Sequence, residues 1–211
     1  MRKVVLGMQM TLDGYSTGPN EEMDYLPSFT NEDLWQDLHQ DMWRELDNAD
    51  TFLLGRKTYQ IWEQYWPAVA SNPQASESDK RFSQFADQAQ KIVFSSTLDK
   101  VTWKNTRLIK RNITEEINKL KQQTGKNLAL AGGATLAQTF ARLGLIDEYK
   151  ITVHPVILGR GKLLLKDVDL RQQLRLTGTK TYASGAVGLS YVLAKSQAET
   201  PMKELEPIPQ I

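Results

Sequence analysis

The sequence predicts an α/β fold, with a mixed, mainly parallel central sheet flanked by helices on both faces and an antiparallel hairpin near the C-terminal end. Short apolar segments alternate with segments of helical periodicity as far as Gly161, which is typical of a sheet with helices packed on its faces. Beyond Gly161 the pattern changes to two alternating strands joined through Ala183–Ala186, which predicts the hairpin.

The first elements are two strand-and-helix pairs. The segment KVVLGMQM is an apolar strand, and the turn-rich loop TLDGYSTGPN follows it. A helical pattern starts at Thr30, with Thr30 or Asn31 as its cap, and its apolar residues recur at three- and four-residue spacing: Trp35, Leu38, Met42 and Leu46. The segment TFLLG is the second strand, and RKTYQIWEQYW is a helix that we expect to stop at Pro67.

The next elements repeat this alternation. The polar segment SNPQASESDK is a surface loop before a short helix around Lys80–Gln88, and KIVFSST and TRLIK are the third and fourth strands. The segment TEEINKLKQQTG is a helix capped by Thr114 and closed by Gly125. The strand NLALA, the helix ATLAQTFARLGL and the strand DEYKITVHPVIL then lead to the hairpin.

The chain is expected to form one domain, residues 1–195, followed by an extended or disordered tail, residues 196–211. The tail contains three prolines and shows no periodicity. A chain of 211 residues is long enough to bury a core without disulfides or metal ions.

Composition excludes several classes of partner. The 26 Lys and Arg residues nearly balance 25 Asp and Glu residues, and basic residues form no stripe with aromatics, which argues against nucleic acid and favours a small-molecule ligand, uncharged or anionic. The chain has no cysteine, so disulfides and thiolate metal sites are excluded. We find neither a signal peptide nor an apolar run of about 20 residues, so we expect no membrane segment and a cytoplasmic protein.

Two glycines lie where the strand NLALA changes into the following helix. Gly132 and Gly133 have no side chain, so a ligand can approach the backbone, and free N–H groups with the helix dipole favour a negative group such as a pyrophosphate. A tight turn or close helix–strand packing is the alternative explanation. The helix is predicted to begin at Ala134 or Thr135.

Two further strand ends show similar chemistry. Gly55 precedes Arg56, Lys57 and Thr58, and cations in a first helical turn oppose the dipole unless an anion lies between them. A third strand ends in hydroxyl groups that can hold a phosphate or ribose, or form a local turn: Ser95, Ser96 and Thr97. Because ligands bind at the carboxyl ends of strands in open α/β sheets, we expect all three ends to line one cleft. The usual dinucleotide and Walker motifs are absent.

The motifs MQMTLDGY, GRKTYQIW, IVFSST and AGGATLAQTFARLGLIDEYKITVHPVILGRGK resemble the dihydrofolate reductase-like superfamily. The chain is most similar to the branch that contains the reductase domain of riboflavin biosynthesis and its stand-alone relatives, and the resemblance covers Lys3 to Lys195. It implies a homodimer and NADPH as the cofactor, which lies across the strand ends. Gly55–Thr58 and Ser95–Thr97 then hold its phosphates and adenosine side, with Arg56 on the 2′-phosphate. The pyrophosphate and nicotinamide side of the cofactor is then held by Gly132, Gly133, Ala134, Thr135 and Leu136.

Substrate contacts are less clear from the sequence. Asp13, after the first strand, is the candidate for a catalytic polar contact to substrate or nicotinamide, with an Asp-Gly turn as the alternative, and Gly14 to Asn20 is a candidate lid. Neither histidine, His39 or His154, lies in a metal-ligand pattern, so we expect no metal. Tyr59, Trp62 and Trp66 share a helical stripe and are expected to pack on the sheet.

The predicted function is NADPH-dependent hydride transfer to the C=N or C=O group of a small heterocycle, pterin- or pyrimidine-like. The chain has Ala131 where riboflavin-pathway enzymes usually have glutamate, and the first helix offers no clearly aligned acid for a pterin. Three alternatives therefore stay open: an NADP(H)-binding module without turnover, a 5-amino-6-(5-phosphoribosylamino)uracil reductase of the riboflavin pathway, and an interaction domain whose glycines are structural.

Overall fold

The computed structural model describes residues 1–26, 32–166 and 171–194, and of residues 32–35 only the backbone. Ten strands and five helices are present in these residues. The strands are β1 (Val4–Thr11), β2 (Tyr15–Thr17), β3 (Ala49–Gly55), β4 (Gln90–Phe94), β5 (Thr106–Ile109), β6 (Asn127–Leu130), β7 (Glu148–His154), β8 (Lys162–Leu163), β9 (Leu174–Thr181) and β10 (Val187–Leu193). The helices are α1 (Glu32–Asp47), α2 (Arg56–Val69), α3 (Glu77–Gln88), α4 (Ile113–Gln122) and α5 (Ala134–Arg142).

Eight strands form the central sheet in the order β5-β4-β3-β6-β1-β7-β10-β9. The first six of these are parallel to one another, while β10 pairs antiparallel with both β7 and β9. The predicted α/β fold with a mainly parallel sheet and an antiparallel C-terminal hairpin is therefore confirmed. The carboxyl ends of β4, β3, β6 and β1 lie side by side, and this end of the strands is called the carboxyl edge of the sheet below.

Each face of the sheet has its own apolar core. In β3, Leu53 packs into a cluster with residues of α4 and α5, while Phe52 and Leu54 pack into a second cluster with α1, α2 and α3. This alternation follows from the two-residue period of a strand, and it places helices on both faces as predicted. Tyr59 is fully buried in the second cluster, and the Trp62 ring meets that of Phe52 edge-on at 5.2 Å.

Several predicted boundaries were wrong. Helix α2 does not stop at Pro67 but continues to Val69. Because Pro67 lies in the last turn, its missing N–H removes only one helical hydrogen bond, and the helix continues to Val69, whose side chain is buried. Thr114 is not the cap of α4, since the cap position is Asn112 in the left-handed conformation, and the helix ends at Gln122, before Gly125.

Two other differences come from local hydrogen bonds. Helix α3 begins at Glu77, earlier than predicted, because the Ser76 hydroxyl accepts a hydrogen bond from the Asp79 N–H at 3.0 Å. Strand β2 lies in the segment predicted as a loop, and it pairs in a small second sheet with β8, a segment without an assignment from the sequence.

Some predictions lie outside the described residues: the α1 cap at Thr30 or Asn31, the packing of Trp35, and the tail 196–211. Among the residues that are described, we see no helix with the length and apolar character needed to cross a membrane.

Candidate functional site

The predicted glycine junctions meet at the carboxyl edge of the sheet. A Cβ atom added to Gly55 would lie 2.7 Å from the carbonyl oxygen of Gly132, and one added to Gly132 would lie 2.8 Å from the nitrogen of Gly55. The β3–α2 and β6–α5 junctions therefore touch main chain to main chain, at a separation that no side chain allows. Gly133 has φ +78°, a conformation that favours glycine, and its added Cβ would lie 3.4 Å from Oγ1 of Thr58.

The hydroxyl-rich strand end lies next to this contact. Phe94 pairs with Gly55, so Ser95 follows directly on the neighbouring strand at the same edge. The Ser95 hydroxyl accepts hydrogen bonds from the N–H groups of Thr97 (3.2 Å) and Leu98 (3.0 Å). This is the local turn that the sequence left open as an alternative, while Ser96 and Thr97 are exposed.

Helices α2 and α5 begin at the glycine contact without any cap. Neither Gly55 nor Gly133 supplies a side-chain hydrogen bond, and neither helix has an acidic residue in its first turn. By contrast, α3 is capped by Ser76, and α4 has Glu115 and Glu116 in its first turn. The first N–H groups of α2 and α5 are thus left for an external acceptor, and the two helix dipoles favour an anion between them.

The two cations of the α2 first turn are exposed at the same edge. Arg56 donates a hydrogen bond to Gln60 at 3.3 Å, and Lys57 forms an ion pair with Glu21 at 2.6 Å. The hydrogen bond from Lys57 lowers the pKa of the Glu21 carboxyl. A carboxylate of the protein therefore lies beside Lys57, in line with the expectation that an anion accompanies the cations of this first turn.

These residues fit a dinucleotide that carries a pyrophosphate and one further phosphate. Two uncapped helix ends supply N–H donors for a pyrophosphate, bare main chain at Gly55, Gly132 and Gly133 allows close approach, and the exposed Arg56 guanidinium can pair with a further phosphate. Ala134 and Leu136 are buried beneath the α5 end, and Thr135 is exposed. Cofactor binding by this set stays a prediction.

Asp13 binds the backbone of the loop that contains Leu158 and Gly159. Its carboxylate accepts hydrogen bonds from the Thr11 hydroxyl (2.6 Å) and from the N–H groups of Gly159 (2.7 Å) and Leu158 (3.3 Å). These hydrogen bonds lower the pKa of Asp13, and the one from Thr11 contributes most. Asp13 is therefore ionised at neutral pH and cannot donate a proton. The predicted contact of Asp13 with substrate or nicotinamide stays a prediction.

One place on the central sheet that the sequence did not reveal is uncovered, and it is called the recess over Gly7 below. Gly7 is exposed although β1 is a central strand, and a Cβ added there would meet no atom within 4 Å. Helix α1 contacts its surroundings on both sides of this point, with Trp43 in the cluster that contains Phe52 of β3 and with Leu38 against Tyr182 of the hairpin. The sheet is therefore left uncovered at Gly7.

Gln9 and His154 form a polar pair on the same face of the sheet. Gln9 follows Gly7 by two residues on β1, and its Oε1 lies 2.6 Å from Nε2 of His154, the last residue of β7. His154 is buried, and the Tyr25 ring meets its imidazole edge-on at 5.7 Å. Burial lowers the pKa of His154, so the imidazole is neutral at pH 7. The only sequence signals were a glycine and a glutamine inside an apolar strand.

The acids of α1 hold the C-terminal hairpin. Asp37 accepts a hydrogen bond from the Ala183 N–H at 3.0 Å, and Asp41 forms ion pairs with Lys180 (2.6 Å) and Arg44 (2.7 Å). The sequence offered no clearly aligned pterin-binding acid on this helix, and the structure shows Asp37 and Asp41 fixing the hairpin.

Other concave surfaces and clusters do not add to this site. A groove of about 640 Å³ lies at the opposite edge of the sheet, between Lys3, Glu148, Arg175 and Val192, far from the glycine contact. Across residues 1–26, 36–166 and 171–194 there is no group of three or more His, Asp or Glu side chains that could hold a metal ion.

Comparison with known proteins extends over nearly the whole chain. The family model of the RibD C-terminal domain matches residues 2–187. Uncharacterized protein YyaP of Bacillus subtilis (strain 168) is 37% identical over 192 residues, which cover 90% of this chain and 94% of that protein.

Two solved structures share the fold. A putative riboflavin biosynthesis protein from Shewanella sp. PV-4 superposes with a TM-score of 0.67 at 21% identity, covering 92% of this chain and 100% of that one. A pyrimidine reductase-like protein from Corynebacterium diphtheriae gives a TM-score of 0.58 at 14% identity, with 92% and 93% of the two chains covered.

Proposed function

We propose that this chain, which belongs to the RibD C-terminal domain family, is an NADPH-dependent reductase that transfers a hydride to the C=N or C=O group of a small heterocycle. The observation that carries the proposal is the contact between Gly55 and Gly132, where two helix N-termini without caps face one edge of the sheet. The names of the two similar structures, a riboflavin biosynthesis protein and a pyrimidine reductase-like protein, support a pyrimidine-type substrate.

The cofactor is assigned to the three strand ends. The first turns of α2 and α5 donate N–H groups to the pyrophosphate, with Lys57 and Thr58 beside it, and Ser95–Thr97 line the adenosine side. Arg56 contacts the 2′-phosphate, which favours NADPH over NADH. When bound, NADPH supplies the hydride.

The remaining residues of the cleft bind and orient the substrate. Val4–Leu6 of β1 pair with Leu128–Leu130 of β6, and the Gly132–Gly133 turn follows β6, so we assign the substrate ring to the uncovered sheet at Gly7, on the nicotinamide side of the cofactor. Asp13 holds the backbone of Leu158 and Gly159 at the mouth of the cleft. Burial raises the pKa of Tyr25 to about 12, so its hydroxyl stays protonated and keeps its 2.9 Å hydrogen bond to the Ser16 carbonyl.

Arg56→Ala tests the cofactor assignment. A charge-assisted hydrogen bond is worth about 1.5–3 kcal/mol, so we expect NADPH affinity to fall by about tenfold or more while NADH affinity changes little. Arg142→Ala removes an exposed arginine at the far end of α5 and is the matched control. Titration by cofactor fluorescence gives both affinities. Equal NADPH affinity in Arg56→Ala and the wild type would contradict the assignment.

A nucleotide-binding module without turnover is the second candidate. It is favoured by the observation that Asp13, Asp37 and Asp41 are all engaged by other parts of the protein. Oxidation of NADPH, followed at 340 nm with pterins, pyrimidinediones and 5-amino-6-(5-phosphoribosylamino)uracil, separates the two candidates. Turnover of the last compound would identify the riboflavin-pathway reaction, and cofactor binding without oxidation across the panel would favour the module.

A further inference from the structure

The β4–β5 loop, residues 95–105, starts beside helix α2 at the carboxyl edge of the sheet. Gly55, just before α2, pairs with Phe94, just before the loop. Because β5 is parallel to β4, the loop must then return to the opposite end of the strands, as α2 also does. Arg56 and Ser95, the first residues of these two segments, therefore occupy neighbouring positions where the adenosine end of the cofactor is assigned.

Tyr59 holds the middle of this loop through its hydroxyl group. The hydroxyl accepts hydrogen bonds from two successive N–H groups of the loop, those of Thr102 at 2.9 Å and Trp103 at 3.2 Å. It donates its own proton to Oε1 of Glu63 at 2.7 Å. Tyr59 is fully buried, and burial raises the pKa of its hydroxyl, so the group is protonated at neutral pH and can act as this donor.

Glu63 completes the same connection from one turn further along α2. Its Oε1 also accepts a hydrogen bond from the Thr102 hydroxyl, so a single carboxylate oxygen joins Tyr59 to the loop. Burial alone would raise the pKa of Glu63, but the hydrogen bonds from Thr102 and Tyr59 outweigh it and lower that pKa. The carboxylate is therefore ionised at neutral pH and accepts both bonds. The pair Tyr59 and Glu63 is called the α2 clamp below.

The clamp does more than fill space in the core. The Tyr59 ring packs in the second apolar cluster, and a phenylalanine ring would fill the same volume there. What the hydroxyl adds is a direct attachment of the loop backbone to α2. Arg56, Tyr59 and Glu63 are spaced by three and four residues, so the clamp lies on the same face of α2 as the cation of its first turn.

We propose that the α2 clamp positions the adenosine end of the cofactor by setting the distance between Arg56 and the Ser95–Thr97 turn, and thereby determines the preference for NADPH over NADH. The inference rests on the proposed function and concerns the selectivity of that same site. Tyr59 and Glu63 are positioning residues, since they act by holding the loop. Without the hydroxyl, two loop N–H groups lose their acceptor, and the loop must shift to bring them to another one.

Tyr59→Phe tests the clamp through the ratio of two affinities. NADPH and NADH differ only in the 2′-phosphate, and both are titrated by cofactor fluorescence. If the loop moves away from Arg56, the 2′-phosphate loses a contact that NADH never makes. We therefore expect the NADPH-to-NADH affinity ratio to fall by about fivefold, the scale of one lost hydrogen bond. Tyr65→Phe makes the same change at an exposed position of α2 and should leave the ratio unchanged.

Glu63 supplies a second pair of variants. Because both hydroxyls contact the same carboxylate oxygen, Glu63→Gln keeps an oxygen acceptor and should retain the wild-type ratio. Glu63→Leu removes that acceptor and should lower the ratio in the same direction as Tyr59→Phe. Glu63 is only half-buried, so this pair decides the question if Tyr59→Phe does not fold.

The outcomes separate this inference from the proposed function. A selective fall in NADPH affinity supports the positioning role. NADPH binding with a ratio that neither Tyr59→Phe nor Glu63→Leu changes would overturn this inference alone. An equal fall in the affinities for both cofactors would assign Tyr59 to the fold only, and would overturn it as well. Failure of the wild type to bind NADPH would overturn the proposed function, and this inference with it.

Discussion

Replacing Gly55 by alanine tests whether the main-chain contact at the cleft is as tight as the structure indicates. The new Cβ would lie 2.7 Å from the Gly132 carbonyl oxygen, about 0.7 Å closer than an ordinary contact near 3.4 Å. Both partners are backbone, so the β3–α2 and β6–α5 junctions must move apart. Strain of this kind in a packed site costs about 1–3 kcal/mol.

Gly178→Ala in β9 is the matched control for this substitution. Its added Cβ would meet Ser190 Cβ at 3.9 Å, which is an ordinary contact. Alanine there is expected to stabilise the fold by about 0.4–1 kcal/mol, because it lowers the conformational entropy of the unfolded chain. Urea denaturation should therefore give changes of opposite sign. For a domain of this size, 1 kcal/mol corresponds to about 2–4 °C in melting temperature.

The same pair of variants links the contact to cofactor binding. Moving the two helix ends apart separates their free N–H groups, so NADPH affinity should fall in Gly55→Ala and stay at the wild-type value in Gly178→Ala. Equal stability changes in the two variants would refute the reasoning about close approach. A destabilised Gly55→Ala protein with wild-type NADPH affinity would refute its link to the cofactor.

Three other predictions follow from named contacts. Burial lowers the pKa of Lys91 from 10.5 to about 8. Below pH 8 the lysine is protonated in both the folded and the unfolded state. Between pH 8 and 10.5 the unfolded state binds more protons than the folded state, so stability rises with pH. Relative to Lys91→Met, the wild type should gain about 3 kcal/mol over that window in urea titrations, and parallel curves would contradict this. Glu21→Gln frees Lys57 for a phosphate and should raise NADPH affinity by up to about fivefold, the scale of an exposed ion pair; unchanged affinity would exclude Lys57 from the site. Asp13→Asn should speed hydrogen exchange at the Gly159 N–H, measured by NMR, and unaltered exchange would show that Asp13 does not anchor the loop.

The Lys91 experiment needs the difference between two proteins because other groups titrate with the opposite sign. Burial raises the pKa values of Tyr149 and Tyr182 to about 12, so near pH 10 the folded state retains protons that the unfolded state has lost, and stability falls as pH rises. Lys91 itself donates to the carbonyls of Ala86 and Ala89 at the end of α3, at 2.6 and 2.9 Å. Subtracting the Lys91→Met curve removes the tyrosine contribution from the comparison.

The edge of the sheet could be predicted from sequence, while the recess could not. Apolar runs that end in Gly55, Ser95 and Gly132 are local patterns, and parallel pairing brings such strand ends to one edge. The pair Gln9 and His154 joins residues 145 positions apart, so it depends on the β1–β7 register that no local pattern reveals. The same limit applies to the α1 acids, whose partners lie on a hairpin about 140 residues later in the chain.

The charge of the recess follows from how these distant contacts are distributed. Asp37 and Asp41 fix the hairpin, and Glu45 lies 3.2 Å from Lys150, so the described carboxylates along this side of α1 are each engaged by a backbone N–H or a cation. Lys150, the β7 partner of Gly7, is itself paired with Glu45, so its charge is balanced there. We therefore expect separate roles, in which Arg56 attracts the anionic cofactor and an uncharged ring binds at Gly7. If the recess instead bound a protonated ring, its affinity should rise as pH falls toward the pKa of that ring. The affinity for an uncharged ring should stay level over the same range, because such a ring takes up no proton on binding.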